Sequence, residues 1–210
     1  MKKNTARPKS PAAPKTPKRA ATPKKPARAA AKVKPKRKPA EASARSAGPK
    51  VGAPAPPFSL PSDAGNSISL SDYRGKWVVL YFYPKDHTPG CTREAIAFEA
   101  QRGELADEGA VVLGVSRDSI PTHCSFKAKQ GLTFPLLSDP SADVHRLYGA
   151  YGQKMMYGKS ITGALRTTVV VRPDGTLAKV FSNVKVDGHS DAVLAAIRAE
   201  KKSLGASTTG

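Results

Sequence analysis

One stretch of this chain combines residue types that do chemistry at a spacing that brings them together: Tyr81-Phe82-Tyr83-Pro84-Lys85-Asp86-His87-Thr88-Pro89-Gly90-Cys91-Thr92. An apolar run ends at Pro84, and Pro89-Gly90 opens a helical pattern, so Cys91 is expected just past a strand end in the first turn of a helix. Unpaired amide N–H groups and the positive helix end stabilise a thiolate at such a position. Thr88, three residues earlier, can direct its hydroxyl toward the sulfur or toward a bound oxygen. A nucleophilic thiolate facing several hydrogen-bond donors suits attack on a peroxide O–O bond, because the donors stabilise the oxyanion that is displaced.

Other cysteine chemistries fit less well. His87 and His123 flank the two cysteines, Cys91 and Cys124, which raises a metal site or a Cys/His hydrolase. The spacings match no zinc pattern, however, and no third orienting group is evident, so neither a metal nor another cofactor is expected. His87 reads as a residue of the loop at the pocket rim, and His123 and His145 as helix-surface residues. A dithiol oxidoreductase is disfavoured because Thr92-Arg93-Glu94 follows Cys91 with no second cysteine at Cys-x-x-Cys spacing. Read on its own, Cys124 is either a small core residue, i+4 from Ile120, or a second redox thiol.

The elements that must hold these residues follow from periodicity. Trp77 to Tyr83 is a continuous β-branched and aromatic run, as in a buried central strand. A helix is expected over Cys91 to Glu108, and a second buried strand over Ala110 to Val115. Ser119 then caps a helix with Pro121 in its first turn that ends near Gly131. A shorter helix is expected over Ser141 to Tyr148. Arg166 to Val171 and Leu177 to Phe181 read as strands joined by Pro173-Asp174-Gly175, and Ser190 as the cap of a last helix with Val193, Leu194 and Ile197 on one face. This order predicts an α/β domain of thioredoxin-like fold, a mixed central sheet flanked by helices, over residues 51–205.

Residues 1–50 are different in kind. They hold 17 of the 35 Lys and Arg but only one acid, Glu41, and none of the 13 aromatic residues. So much charge with so little apolar surface predicts a disordered tail. Two cysteines are too few for a secreted disulfide scaffold. No apolar run is long enough for a bilayer, and Met1 is followed by Lys and Pro, so neither a membrane span nor a secretory signal is expected. Nine prolines in the first 50 residues disfavour the amphipathic helix of an organelle transit peptide. The tail's Thr-Pro-Lys-Lys units, and clusters that include Lys18, Arg19, Lys24, Lys25, Lys34, Lys36, Arg37 and Lys38, resemble linker-histone tails in composition. Such a polycation binds DNA through its phosphates without reading bases. A solubilising extension or a nuclear-import signal would have the same composition.

The folded part resembles a known family closely. Pro84-x-x-x-Thr88-x-x-Cys91 is similar to the active-site motif of the peroxiredoxins. Thr88-Pro89-Gly90-Cys91-Thr92-x-Glu94 looks like its bacterioferritin-comigratory-protein (peroxiredoxin Q) subfamily. Gly114 to Ser119, Phe134 to Asp139, Met156 to Lys159 and Lys185 to His189 resemble the same subfamily in the same order. The resemblance implies a thiol-dependent peroxidase for hydrogen peroxide and organic hydroperoxides, with no cofactor and with thioredoxin or a glutaredoxin-type donor as reductant. It implies Cys91 as the peroxidatic cysteine, Thr88 as a hydroxyl ligand, Pro84 as the residue shaping the pocket and Arg166 as the catalytic arginine. It also implies a monomer; the chain itself, with neither signal nor span expected, reads as cytoplasmic, associated by its tail with the nucleoid, or as nuclear in a eukaryote. Many members carry a resolving cysteine five residues after the peroxidatic one, where this chain has Ile96. Others resolve from the next helix, which implies a Cys91–Cys124 disulfide, although their cysteine aligns with Lys127, one helical turn or about 4.5 Å away. A one-cysteine peroxidase, or a protein that mainly condenses nucleic acid with a redox-regulatory globular part, are the competing expectations.

Overall fold

A computed structural model of the chain describes residues 48–156 and 158–206. The strand expected first forms as β3, Trp77–Phe82, after a small antiparallel hairpin of β1 (Ser59–Pro61) and β2 (Ser67–Ser69) and a 3₁₀ turn at Leu70–Tyr73. All six residues of β3 are buried, because a central strand has neighbours on both edges and layers on both faces. Parallel to it lies β4 (Ala110–Ser116), followed outward by β5 (Leu136–Ser138). On the other edge β8 (Thr167–Val171) and β9 (Leu177–Ser182) run antiparallel, giving the order β5-β4-β3-β8-β9. The turn between β8 and β9 is built on Gly175, whose φ of +88° only glycine adopts easily. A separate hairpin, β6 (Tyr151–Met156) with β7 (Lys159–Ala164), stands apart from this sheet.

Alternation along β3 divides the core. Trp77, Val79, Tyr81 and Tyr83 face one side, packed with residues of α1 (Pro89–Ala100), α2 (Arg102–Asp107), α3 (Ile120–Gln130) and α5 (His189–Ala206), among them Phe98, Leu105, Phe126 and Ile197. Val78, Leu80 and Phe82 face the other side, against the β1–β2 hairpin and α4 (Asp143–Leu147) through Leu60, Ile68, Val144 and Tyr148. The thioredoxin-like α/β fold is therefore present, with its mixed sheet covered on both faces.

Several boundaries differ from expectation. The helix expected over Cys91 to Glu108 starts earlier, at Pro89, and breaks at Gln101 into α1 and α2. Gly103 weakens a continuous helix there, and the second piece still buries Leu105. Ser119 does precede α3, but its hydroxyl pairs with Thr122 Oγ1 at 2.9 Å and makes no bond to the helix backbone. Gly131 ends α3 in the left-handed region. The last helix begins at His189, which puts Ser190 inside its first turn and not at the cap.

Candidate active site

The loop Tyr83–Thr88 connects β3 to α1, and Thr88 stands at the N-cap position with Pro89 opening the helix. Thr92 N–H donates to Thr88 O at 2.9 Å, so the amides of Gly90 and Cys91 precede the first intrahelical donor. Cys91 is 1% exposed and a free thiol. Its sulfur therefore sits at the positive end of α1, near donors that the helix leaves unpaired.

A guanidinium completes this corner. Arg166 immediately precedes β8, the strand beside β3, and its Nη2 donates to Cys91 Sγ at 3.4 Å. Its Nη1 donates to Oε2 of Glu94, one turn beyond Cys91 on the same helix face. Glu94 is as buried as Cys91, and its other carboxylate oxygen has no hydrogen-bond partner among the described residues. Burial pushes the Glu94 carboxyl up to about 7, against the downward pull of Arg166. One guanidinium thus donates to two side chains, Glu94 and Cys91, in a buried corner. A Cβ on Gly90 would approach Arg166 Nη2 to 3.2 Å, so a residue without a side chain makes room for the guanidinium.

The sequence-predicted residues fall as follows. Cys91 and Arg166 are in contact. Thr88 precedes the helix as expected, but its hydroxyl donates to Lys85 O at 3.0 Å rather than toward the sulfur, leaving the oxygen lone pairs as acceptors. Pro84 is half-buried two residues after the end of β3. His87 is exposed in the loop, with φ of +58° and its ring edge-on to Phe126. Cys124 is exposed on α3, where its thiol donates to Asp63 O at 3.3 Å, which rules out the buried-core alternative. Lys127 pairs with the carboxylate of the same Asp63 at 2.7 Å. The tail residues Lys18, Arg19, Lys24, Lys25, Lys34, Lys36, Arg37 and Lys38 lie outside the described residues.

Two expectations are overturned. His123 and His145 are not on helix surfaces; both side chains are fully buried. Each stays buried because its Nδ1 donates to an aspartate, His123 to Asp86 at 2.8 Å and His145 to Asp139 at 2.7 Å. Glu94 was present in the motif but given no role, although its i+3 spacing from Cys91 placed it on the same face. His189 was also unassigned. It bonds Thr168 Oγ1 at 2.8 Å, and burial, reinforced by nearby Arg166, lowers its pKa to about 4.

Among the described residues no group of three or more His, Cys, Asp or Glu is placed to hold a metal ion. No helix among them is long and apolar enough to cross a membrane. A cleft of about 350 Å³ lined by Tyr73, Arg74, Lys76 and Pro173 includes Val78 at the start of β3, the strand's other end from Cys91. A buried thiol at a helix start, with a guanidinium on the sulfur, fits nucleophilic attack followed by release of an oxyanion.

Comparison with known proteins converges on one group. Residues 51–180 match the AhpC/TSA family. Peroxiredoxin Bcp of Xanthomonas campestris is 46% identical over 151 residues, 71% of this chain and 94% of that protein. A putative peroxiredoxin bcp of Coxiella burnetii is 49% identical over 140 residues, 67% and 93% of the two chains. Among solved structures, the bacterioferritin comigratory protein of X. campestris matches with a TM-score of 0.65 at 44% identity, covering 68% of this chain and 91% of that one. A PrxQ mutant of Xylella fastidiosa matches with a TM-score of 0.68 at 37% identity, covering 72% and 97%.

Proposed function

Because this chain belongs to the AhpC/TSA family, as a thiol peroxidase of the Bcp/PrxQ peroxiredoxin type, we propose that Cys91 is its peroxidatic cysteine and Arg166 the cation that activates it. The observation that carries this reading is the 3.4 Å contact between Arg166 Nη2 and Cys91 Sγ in the first turn of α1. The Cys91 thiolate attacks one oxygen of hydrogen peroxide or an organic hydroperoxide. As the S–O bond forms the O–O bond breaks, and the departing oxyanion takes a proton and leaves as water or alcohol. Arg166 and the Gly90 and Cys91 amides stabilise charge on the departing oxygen. Thr88, whose proton goes to Lys85, accepts a hydrogen bond from the hydroperoxide, and Pro84 shapes the loop around it.

The product is Cys91 sulfenic acid. Cys124 condenses with it, forming the S–S bond and releasing water, and a thioredoxin or glutaredoxin-type dithiol reduces the disulfide. Because Cys124 is held against Asp63 on a folded helix, this step requires the first turn of α3, around Pro121, to unwind. Cys91→Ser should abolish thiol-dependent peroxide consumption in the full-length protein; retained turnover would refute the assignment.

The protein acts as a monomer of two parts, a 1–50 tail and a 51–205 domain. The tail binds DNA through phosphates and holds the peroxidase at the nucleoid of the cytoplasm. Its support is the concentration of 17 cations in 50 residues that lack any aromatic side chain for base stacking. If six to ten cations contact phosphates, affinity should fall by about 10³–10⁵ between about 50 and 200 mM salt. Deleting residues 1–50 should abolish gel retardation of any duplex while preserving peroxidase turnover. A truncated protein that still retards DNA would move that site into the domain.

A further inference from the structure

The loop that carries Pro84 and Thr88 holds one buried acid, Asp86, 2% exposed. Its carboxylate accepts Tyr83 Oη–H at 2.7 Å on Oδ1 and His123 Nδ1–H at 2.8 Å on Oδ2. Its backbone N–H donates to Asp118 Oδ2 at 2.8 Å, and that oxygen also accepts the Ser116 hydroxyl at 2.8 Å. Asp86 therefore ties the loop to its own strand end, to the end of β4 and to α3. The tie to α3 is reinforced by Phe126, whose ring meets His87 at 5.2 Å and Tyr83 at 6.5 Å between centroids. On α3 the residue after His123 is Cys124, pointing the other way onto the β1–β2 turn. His123 Nε2 is buried with no partner among the described residues, so its bond to Asp86 is the ring's one polar anchor there.

We propose that Asp86 is a positioning residue for peroxide reduction and that Asp86 with His123 forms a latch, which couples the loop of Pro84 and Thr88 to the helix of Cys124. The coupling to disulfide formation rests on the assignment of Cys124 as the resolving thiol. His123 and Cys124 are adjacent, so unwinding that delivers Cys124 to the Cys91 sulfenic acid also draws His123 away from Asp86. A buried carboxylate stripped of one of its two side-chain donors is strongly disfavoured in place, so the loop is released in the same event. The latch holds the site closed for attack on peroxide and opens loop and helix together for resolution, where Cys124 sulfur displaces the sulfenic oxygen as water.

The test uses full-length protein with hydrogen peroxide and dithiothreitol, and the variants His123→Leu and Asp86→Asn. The fraction of Cys91 that ends as sulfinic acid per turnover, measured by mass spectrometry, should fall at least about tenfold in both variants, because disulfide formation gains on a second attack by peroxide. A purely architectural role would lower the melting temperature and leave that partition unchanged, which would overturn the proposal. Hydrogen exchange of the unmodified protein gives an independent readout should either variant fail to fold. The amides of Asp86, bonded to Asp118, and His123, bonded to Ser119 O at 3.0 Å, should open at one common rate. Unequal rates overturn the latch. If peroxide produces no Cys91–Cys124 disulfide, the assignment of Cys124 fails, and the exchange rates still decide whether loop and helix open as one.

Discussion

Replacing Glu94 with glutamine removes a titratable group and almost no volume, and Arg166 keeps a carbonyl acceptor where it now meets Oε2. The carboxyl holds its proton to about pH 7 in the folded protein, against an ordinary 4.5, because burial outweighs the attraction of Arg166. Between those two values the folded protein binds a proton that the unfolded chain has already released. Stability is therefore lost as the pH rises through that window, and the loss is complete above 7. At about 1.36 kcal/mol per tenfold change, the displacement amounts to about 3 kcal/mol. Glutamine does not titrate, so Glu94→Gln should gain about 3 kcal/mol relative to the native protein between pH 4.5 and 8. Urea unfolding of the two reduced proteins side by side measures this difference. Their His189 groups, held near 4 by burial, give an opposite slope between about pH 4 and 6.5 that cancels in the subtraction. A flat difference across this range would mean that Arg166 keeps Glu94 ionised throughout, and the reasoning that burial outweighs the pull of the cation would fail.

Arg166→Ala removes the cation 3.4 Å from Cys91 Sγ and should slow sulfenic acid formation by about 10²–10³-fold in stopped flow; an unchanged rate would detach Arg166 from the chemistry. Gly114→Ala would bring a Cβ to 2.8 Å from Leu136 Cδ2 and 2.9 Å from Tyr81 Oη. It should lower stability by about 1–3 kcal/mol, read as an earlier urea midpoint, and an unmoved midpoint would show that these side chains repack freely. Cys124→Ser should still undergo the first oxidation but accumulate Cys91 sulfenic and sulfinic acid; undiminished turnover with dithiol would make the enzyme a one-cysteine peroxidase.

What could be read from the sequence was local. The apolar run into Pro84 and the Pro89-Gly90 helix start set Cys91 at a helix N-terminus, because strand period, breakers and caps act over a few residues. Arg166 could be placed only through the family resemblance, since its contact with Cys91 spans 75 residues of chain. The buried face of α3 runs through His123 and Phe126, three residues apart, so the i+3 rule was sufficient to turn His123 inward and Cys124 outward. The partner that makes the burial of His123 possible, Asp86, lies 37 residues earlier, beyond the reach of any local pattern. Likewise β5 is only three residues long, and β6 and β7, with Gly152 and Gly163 opposite each other, form a two-stranded sheet of their own. None of these strands carries the apolar alternation that marks a sheet edge from sequence.

The decisive measurement is peptide-level mass spectrometry of the full-length protein, without reductant, after one equivalent of hydrogen peroxide. Oxidation should begin at Cys91 and end in a Cys91–Cys124 disulfide, and Cys91→Ser should leave the peroxide unconsumed. Peroxide consumed while Cys91 remains a free thiol would contradict the assignment of Cys91 as the attacking sulfur.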